Sequence, residues 1–158
     1  MVQVYRGLRE SDMRAAAAQY FATRVEQNIF PELLTLIRDL QAVNTEIWAV
    51  SSTCDWVVEE GVRRFSIPPN RVLAARVVIA DGVVTNQLID VPTDEGKAAS
   101  LARIGLTRPD AVFGNSVHDA AMLAIAAHPF AVNPSPELLA RAAAESWPAY
   151  YPASVQPT

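Results

Sequence analysis

Phe113-Gly114-Asn115-Ser116-Val117-His118-Asp119-Ala120-Ala121-Met122-Leu123 is the stretch on which the fold turns. The short run Asp110 to Phe113 halts at a glycine, two small polar residues follow, and Asp119 leads into a helically spaced apolar pattern. That order reads as a buried strand feeding a loop, with Asp119 in the first turn of the next helix. In open α/β sheets, ligands bind in the crevice at the carboxyl ends of the strands. Asn115 and Asp119 therefore stand where oxygen ligands for a hard cation such as Mg²⁺ belong. The same residues also suit a plainer purpose, a turn followed by a helix cap.

Outward from this loop, helices and strands alternate. Upstream, Thr93-Asp94-Glu95-Gly96-Lys97 opens a helix to about Ile104. Downstream, Ala120 to Ala127 is helical and Pro129 to Val132 forms a short strand. Pro134-Ser135-Pro136-Glu137 then opens a last helix, and Trp147 to Tyr151 suits an edge strand. Earlier in the chain, Asp81-Gly82 joins the apolar runs Arg71–Ala80 and Val83–Val91, a strong hairpin signal. Thr45 to Val50 is expected as a strand, Ser51 to Asp55 as a polar loop, and Trp56 to Phe65 as a helix ended by Pro68-Pro69. Pro31 suits the first position of a helix to about Ala42, and Ser11-Asp12 an N-cap for a helix to about Gln27. Residues 1–10 are assigned no element. The alternation implies an α/β fold, a mainly parallel sheet covered by helices on both faces with the hairpin inserted.

Composition narrows the function classes. Seventeen acidic against thirteen basic residues give a net charge of −4, which argues against a nucleic-acid or anionic-membrane surface. Cys54 is the only cysteine and His118 and His128 the only histidines, so neither an intrachain disulfide nor a cysteine zinc cluster is available. No apolar run reaches the roughly 18 residues of a membrane span, and Met1 to Arg6 has no apolar core of the length expected in a signal peptide. A cytoplasmic location is expected. Neither a Gly-x-Gly-x-x-Gly turn nor a Gly-Lys-Ser/Thr loop occurs, which sets aside a nucleotide-binding Rossmann domain.

Two further positions invite chemistry. Ser51 and Ser52 follow a predicted strand and precede amides at the mouth of a helix, a natural phosphate seat or simply a hydroxyl cap. Lys97 lies in the first turn of its helix, where a cation opposes the dipole and an anion nearby would offset it; a surface lysine is the plainer alternative. Cys54, Trp56, Trp147 and His128 read as structural.

Ser51, then Lys97, then Gly114-Asn115-Ser116 with Asp119 and Met122-Leu123 resembles the second, third and fourth motifs of the haloacid dehalogenase superfamily, closest to its phosphoserine-phosphatase-like branch. The resemblance spans roughly residues 30–150. It implies a three-layer Rossmannoid fold and a phosphomonoester hydrolase acting on a small phosphorylated metabolite. Ser51 and Ser52 would bind the phosphoryl group, Lys97 and Asp119 would serve catalysis, and Asn115 and Asp119 would hold Mg²⁺. Residues 1–28 would be the remnant and return helix of a helical cap, 29–152 the core and 153–158 a flexible tail. Two departures accompany the resemblance. The family's nucleophile belongs to two aspartates separated by one residue, and no two of Asp12, Asp39, Asp55, Asp81, Asp90, Asp94, Asp110 and Asp119 are so spaced. Asp55, expected in the loop after the first strand, would neighbour the phosphate rather than attack it. Asn115 stands where the fourth motif usually begins with aspartate, and brings no negative charge. The expectation is a C-terminal portion of such an enzyme, lacking the N-terminal strand and most of the cap. The alternative is an inactive fragment of the same fold that self-associates through an exposed sheet edge.

Overall fold

The computed structural model describes residues 2–155. The chain forms two compact units, Met1–Val91 and Pro92–Thr158. In the first, β1 (Ala49–Cys54) runs parallel to β2 (Val72–Ala80), which pairs antiparallel with β3 (Val83–Asp90). Asp81 and Gly82, at φ 50° and 73°, supply the two positive-φ residues that a tight two-residue hairpin turn requires. The first unit also carries α1 (Glu10–Tyr20), α2 (Pro31–Ala42) and α3 (Asp55–Arg63). β2 is the middle strand and is apolar along nearly its whole length, so it can be covered on both faces. Ala75 and Val77 pack with Val2, Ala17, Trp56 and Val84 in one cluster, while Val72 and Ala74 pack with Val62 and Ile67 in another.

The second unit contains α4 (Glu95–Arg103), β4 (Ala111–Gly114), α5 (Ala120–Ala124), β5 (His128–Val132), α6 (Pro136–Glu145) and β6 (Ala149–Tyr150). Its three strands are parallel in the order β4-β5-β6. Leu123 of α5 and Leu138 of α6 are wholly buried. Ser135 caps α6 by accepting a hydrogen bond from the Leu138 amide, with Pro136 in the first turn. The α/β class and the inserted hairpin are as expected, with the strands hydrogen-bonded in two sets of three.

Several boundaries differ from the sequence reading, each for a local reason. The expected strand Thr45–Val50 begins only at Ala49. Asn44, at φ 61°, reverses the end of α2, and the Thr45 amide closes that helix on the Leu40 carbonyl (3.0 Å). Ser51, Ser52 and Thr53 thus lie inside β1, at an irregularity where four steps along β1 match two along β2. Asp55 is not a loop residue but the first of α3. At the N-terminus, Arg9 rather than Ser11 or Asp12 precedes α1, because residues 7–10 hydrogen-bond to β3 and its turn, including Glu10 N to Gly82 O at 2.9 Å. Residues assigned no element hold a 3₁₀ turn, Val2–Tyr5, and Tyr5 meets Trp56 edge-on. The first helix does not run evenly to Gln27: it widens to a π turn over Phe21–Val25 and tightens to 3₁₀ over Glu26–Asn28. α5 stops at Ala124 rather than Ala127, since the Ala127 and His128 amides bond to Pro109 and Asp110 carbonyls; His128 opens β5 rather than ending a helix. Of the tail, residues 156–158 lie outside the described residues.

Candidate active site

In the second unit the loop after β4 closes upon one carboxylate. Asp119 ends a 3₁₀ turn, Val117–Asp119, that leads into α5. Its Oδ2 accepts hydrogen bonds from the Asn115 amide (2.9 Å) and the Ser116 amide (3.0 Å), so the side chain folds back over the loop that precedes it. Gly114 makes this possible by its size: a Cβ there would stand 2.7 Å from the Asp119 Cβ. The Asn115 carbonyl accepts from the Ser135 amide (2.8 Å), tying the loop after β4 to the one after β5.

The other carboxylate oxygen, Oδ1, receives the ammonium of Lys97 from the first turn of α4. Both side chains are more than nine-tenths buried. Burial works to raise the Asp119 carboxyl, but the Lys97 ammonium and the two loop amides outweigh it, and the group is held below the ordinary carboxylate range. A buried ammonium has three donors, and Asp119 takes one. What the arrangement can do is present a fixed positive charge, oriented from below, beside a loop of backbone amides.

A second pair sits in the same unit. His118 Nδ1 lies 2.6 Å from Asp94 Oδ1, both side chains about half exposed. Asp94 precedes α4 at φ 50°, a strained conformation for a residue with a Cβ. Its carboxyl is held low, first by the His118 hydrogen bond. The pairing joins positions 24 apart and has no local signature.

Of the residues expected at the site, the structure brings Lys97, Asn115 and Asp119 together. Ser51 and Ser52 belong to the first unit. Ser51 is half-buried at the β1 irregularity, its Oγ accepting from the Thr53 amide (3.1 Å), and Ser52 is exposed. Asp55 nearby is fully engaged: its Oδ2 accepts from Arg76 Nε (2.8 Å) and its Oδ1 from the Trp56 amide. Burial raises the Asp55 carboxyl despite Arg76, and likewise pushes up the thiol of Cys54, which is no activated nucleophile.

Asn115 and Asp119, expected to hold Mg²⁺, supply only part of a donor set for it. Among the described residues no three His, Cys, Asp or Glu side chains form a group able to hold a metal. Asp119 faces a lysine ammonium and two amides, and Asn115 offers one neutral oxygen where octahedral Mg²⁺ asks for several. These residues do not make a Mg²⁺ site by themselves. No helix among the described residues is long and apolar enough to cross a membrane.

The fold recurs in solved structures. A protein of unknown function from Bordetella pertussis Tohama I superposes with a TM-score of 0.77 at 22% identity, covering 90% of this chain and 67% of that one. A phosphoserine phosphohydrolase-like protein from Francisella tularensis subsp. tularensis SCHU S4 gives 0.64 at 12% identity, covering 87% and 65%. A probable phosphoserine phosphatase from Vibrio cholerae gives 0.62 at 18% identity, covering 89% and 42%. The chain thus spans from about two fifths to two thirds of these proteins' lengths. No curated protein matches its sequence. The haloacid dehalogenase-like hydrolase family matches residues 1–124, within which lie Ser51, Lys97 and the loop ending at Asp119. By that match and by the fold it shares with phosphoserine-phosphatase-like hydrolases, this chain belongs to the haloacid dehalogenase-like hydrolase family.

Proposed function

We propose that this chain carries the phosphate-binding part of a Mg²⁺-dependent phosphomonoester hydrolase and lacks its aspartate nucleophile. The observation that supports this reading best is the buried Lys97–Asp119 pair under the Gly114-Asn115-Ser116 loop. Phosphoryl transfer asks mainly for positioning and for compensation of charge on the equatorial oxygens. A lysine oriented by a buried carboxylate offers the second, and by resemblance to the family's motifs Ser51 and Ser52 would supply donors for the first. The net reaction breaks the ester P–O bond, joins a water oxygen to phosphorus and leaves a proton on the departing alcohol. Asn115 and Asp119 would contribute oxygens to the metal, and the nucleophile's carboxylate would be a further ligand. Residues 1–28 would be the remnant of a cap over the 29–152 core. The substrate would be a small phosphorylated metabolite, and the cytoplasm its setting. Self-association at the far end of β3, where Leu88 and Ile89 are exposed, belongs to the same proposal.

The test is hydrolysis of p-nitrophenyl phosphate with Mg²⁺ or with chelator, by this chain and by the chain extended at its N-terminus with a strand bearing Asp-x-Asp. Mg²⁺-dependent turnover is expected only in the extended protein and is lost in Lys97→Ala. Turnover by the unextended chain that survives both chelation and Lys97→Ala would overturn the proposal.

A further inference from the structure

The first unit contains an open cleft of about 380 Å³ lined in part by Ser51 and Thr53. Phe21 and Val25 from the π turn and Val58 from α3 also line it. Not one of the eleven residues lining it carries a charge. This sets it apart from a second cleft of the unit, of about 440 Å³, where Arg14 and Arg76 are matched by Glu10, Asp55 and Glu59.

Three features assign the uncharged cavity a ligand class. Ligand pockets are mostly apolar, with a few placed polar groups, and range over about 300–1,000 Å³; this one falls within that range. Ser51 Oγ already accepts a hydrogen bond from the Thr53 amide, so its own O–H is the part available to donate to a phosphoryl oxygen. The leaving group of phosphoserine carries an ammonium and a carboxylate, and burying either without a partner is costly. An uncharged wall penalises such a leaving group and favours an apolar one. The wall is also deliberately shaped. π turns are uncommon and cluster at functional sites, and Gly61 admits the Phe21 ring where a Cβ would stand 3.2 Å from its Cε2.

We propose that this cavity receives the leaving group of a phosphomonoester whose alcohol is uncharged and apolar, an aryl or branched alkyl alcohol, with the ester end at Ser51. The inference rests on the phosphomonoester reading above and specifies its substrate class.

Calorimetric titration of this chain with 1-naphthyl phosphate, 1-naphthol, O-phosphoserine and orthophosphate tests it, beside Val58→Trp, which fills the cavity. Naphthyl phosphate is expected to bind at least about tenfold more tightly than phosphoserine, and Val58→Trp to remove that preference while sparing orthophosphate binding. Val25→Trp, at another lining position, serves if Val58→Trp does not fold. Equal or tighter binding of phosphoserine, or folded filling variants that keep naphthyl phosphate affinity, would overturn the inference. Naphthol binding that both variants abolish, with no gain from the phosphate group, would uphold an apolar ligand cavity and defeat the phosphomonoester reading instead.

Discussion

Removal of the Asp119 carboxylate gives the account its most quantitative test. In Asp119→Ala the Lys97 ammonium keeps its place, 8% exposed, without its paired carboxylate, and the Asn115 and Ser116 amides lose their acceptor. Breaking a buried ion pair by deleting one partner costs about 3–5 kcal/mol, because the survivor is left charged and desolvated. The two amides add little, since Asn115 is exposed and water can replace the lost acceptor. For a chain of this length each kcal/mol lowers Tm by about 2–4 °C, which places the expected drop at about 6–20 °C. Lys97→Met with Asp119→Leu removes both charges together and should recover most of the loss, to within about 1 kcal/mol of wild type. Thermal and urea unfolding followed by circular dichroism read both. A drop in Asp119→Ala below about 1 kcal/mol, or a double variant no more stable than the single one, would refute the claim that this is a desolvated, mutually dependent pair.

Other outcomes follow from the same geometry. Gly114→Ala should destabilise by about 1–3 kcal/mol, because the new Cβ meets the Asp119 Cβ at 2.7 Å, and urea unfolding reads this. Asp119, held low, stabilises the fold above the ordinary aspartate value of about 4, and that contribution fades as pH falls through the lowered value. The stability gap between wild type and Asp119→Asn should therefore narrow in acid. Asp55 has the opposite sign: burial raises its carboxyl, so the folded state sheds stability as pH rises from the ordinary value through the raised one, and Asp55→Asn should lack that decline. Sedimentation should show association through β3 weakened by Leu88→Lys with Ile89→Lys, whose parent side chains are 48% and 58% exposed.

The loop from Gly114 to Asp119 was readable because its information is local: a glycine, small polar residues and a carboxylate at fixed offsets before an apolar helix. The Asp81-Gly82 turn was readable for the same reason, as two positive-φ positions between β-branched runs. The first strand was misplaced by four residues because β-propensity in Thr45–Val50 competes with a helix reversal at Asn44 that takes up the Thr45 amide. Asp55 was misassigned to a loop for a related reason, since a strand carried through Ser51–Thr53 leaves it at the head of α3. The His118–Asp94 pair and the Arg14, Arg76, Asp55 and Glu59 network join residues 17 to 45 positions apart. Such pairings depend on tertiary placement, which periodicity does not encode. The π turn was equally silent, because Phe21–Val25 continues the helical spacing of the residues before it.

The most direct measurement is orthophosphate binding to this chain by isothermal titration, compared with Lys97→Met. Saturable binding is expected of the wild type, weakened about tenfold or more in the variant, as when a charged hydrogen bond worth at least about 1.4 kcal/mol is removed. Equal affinity in wild type and Lys97→Met, both folded, would contradict the assignment of a phosphate site to this pair.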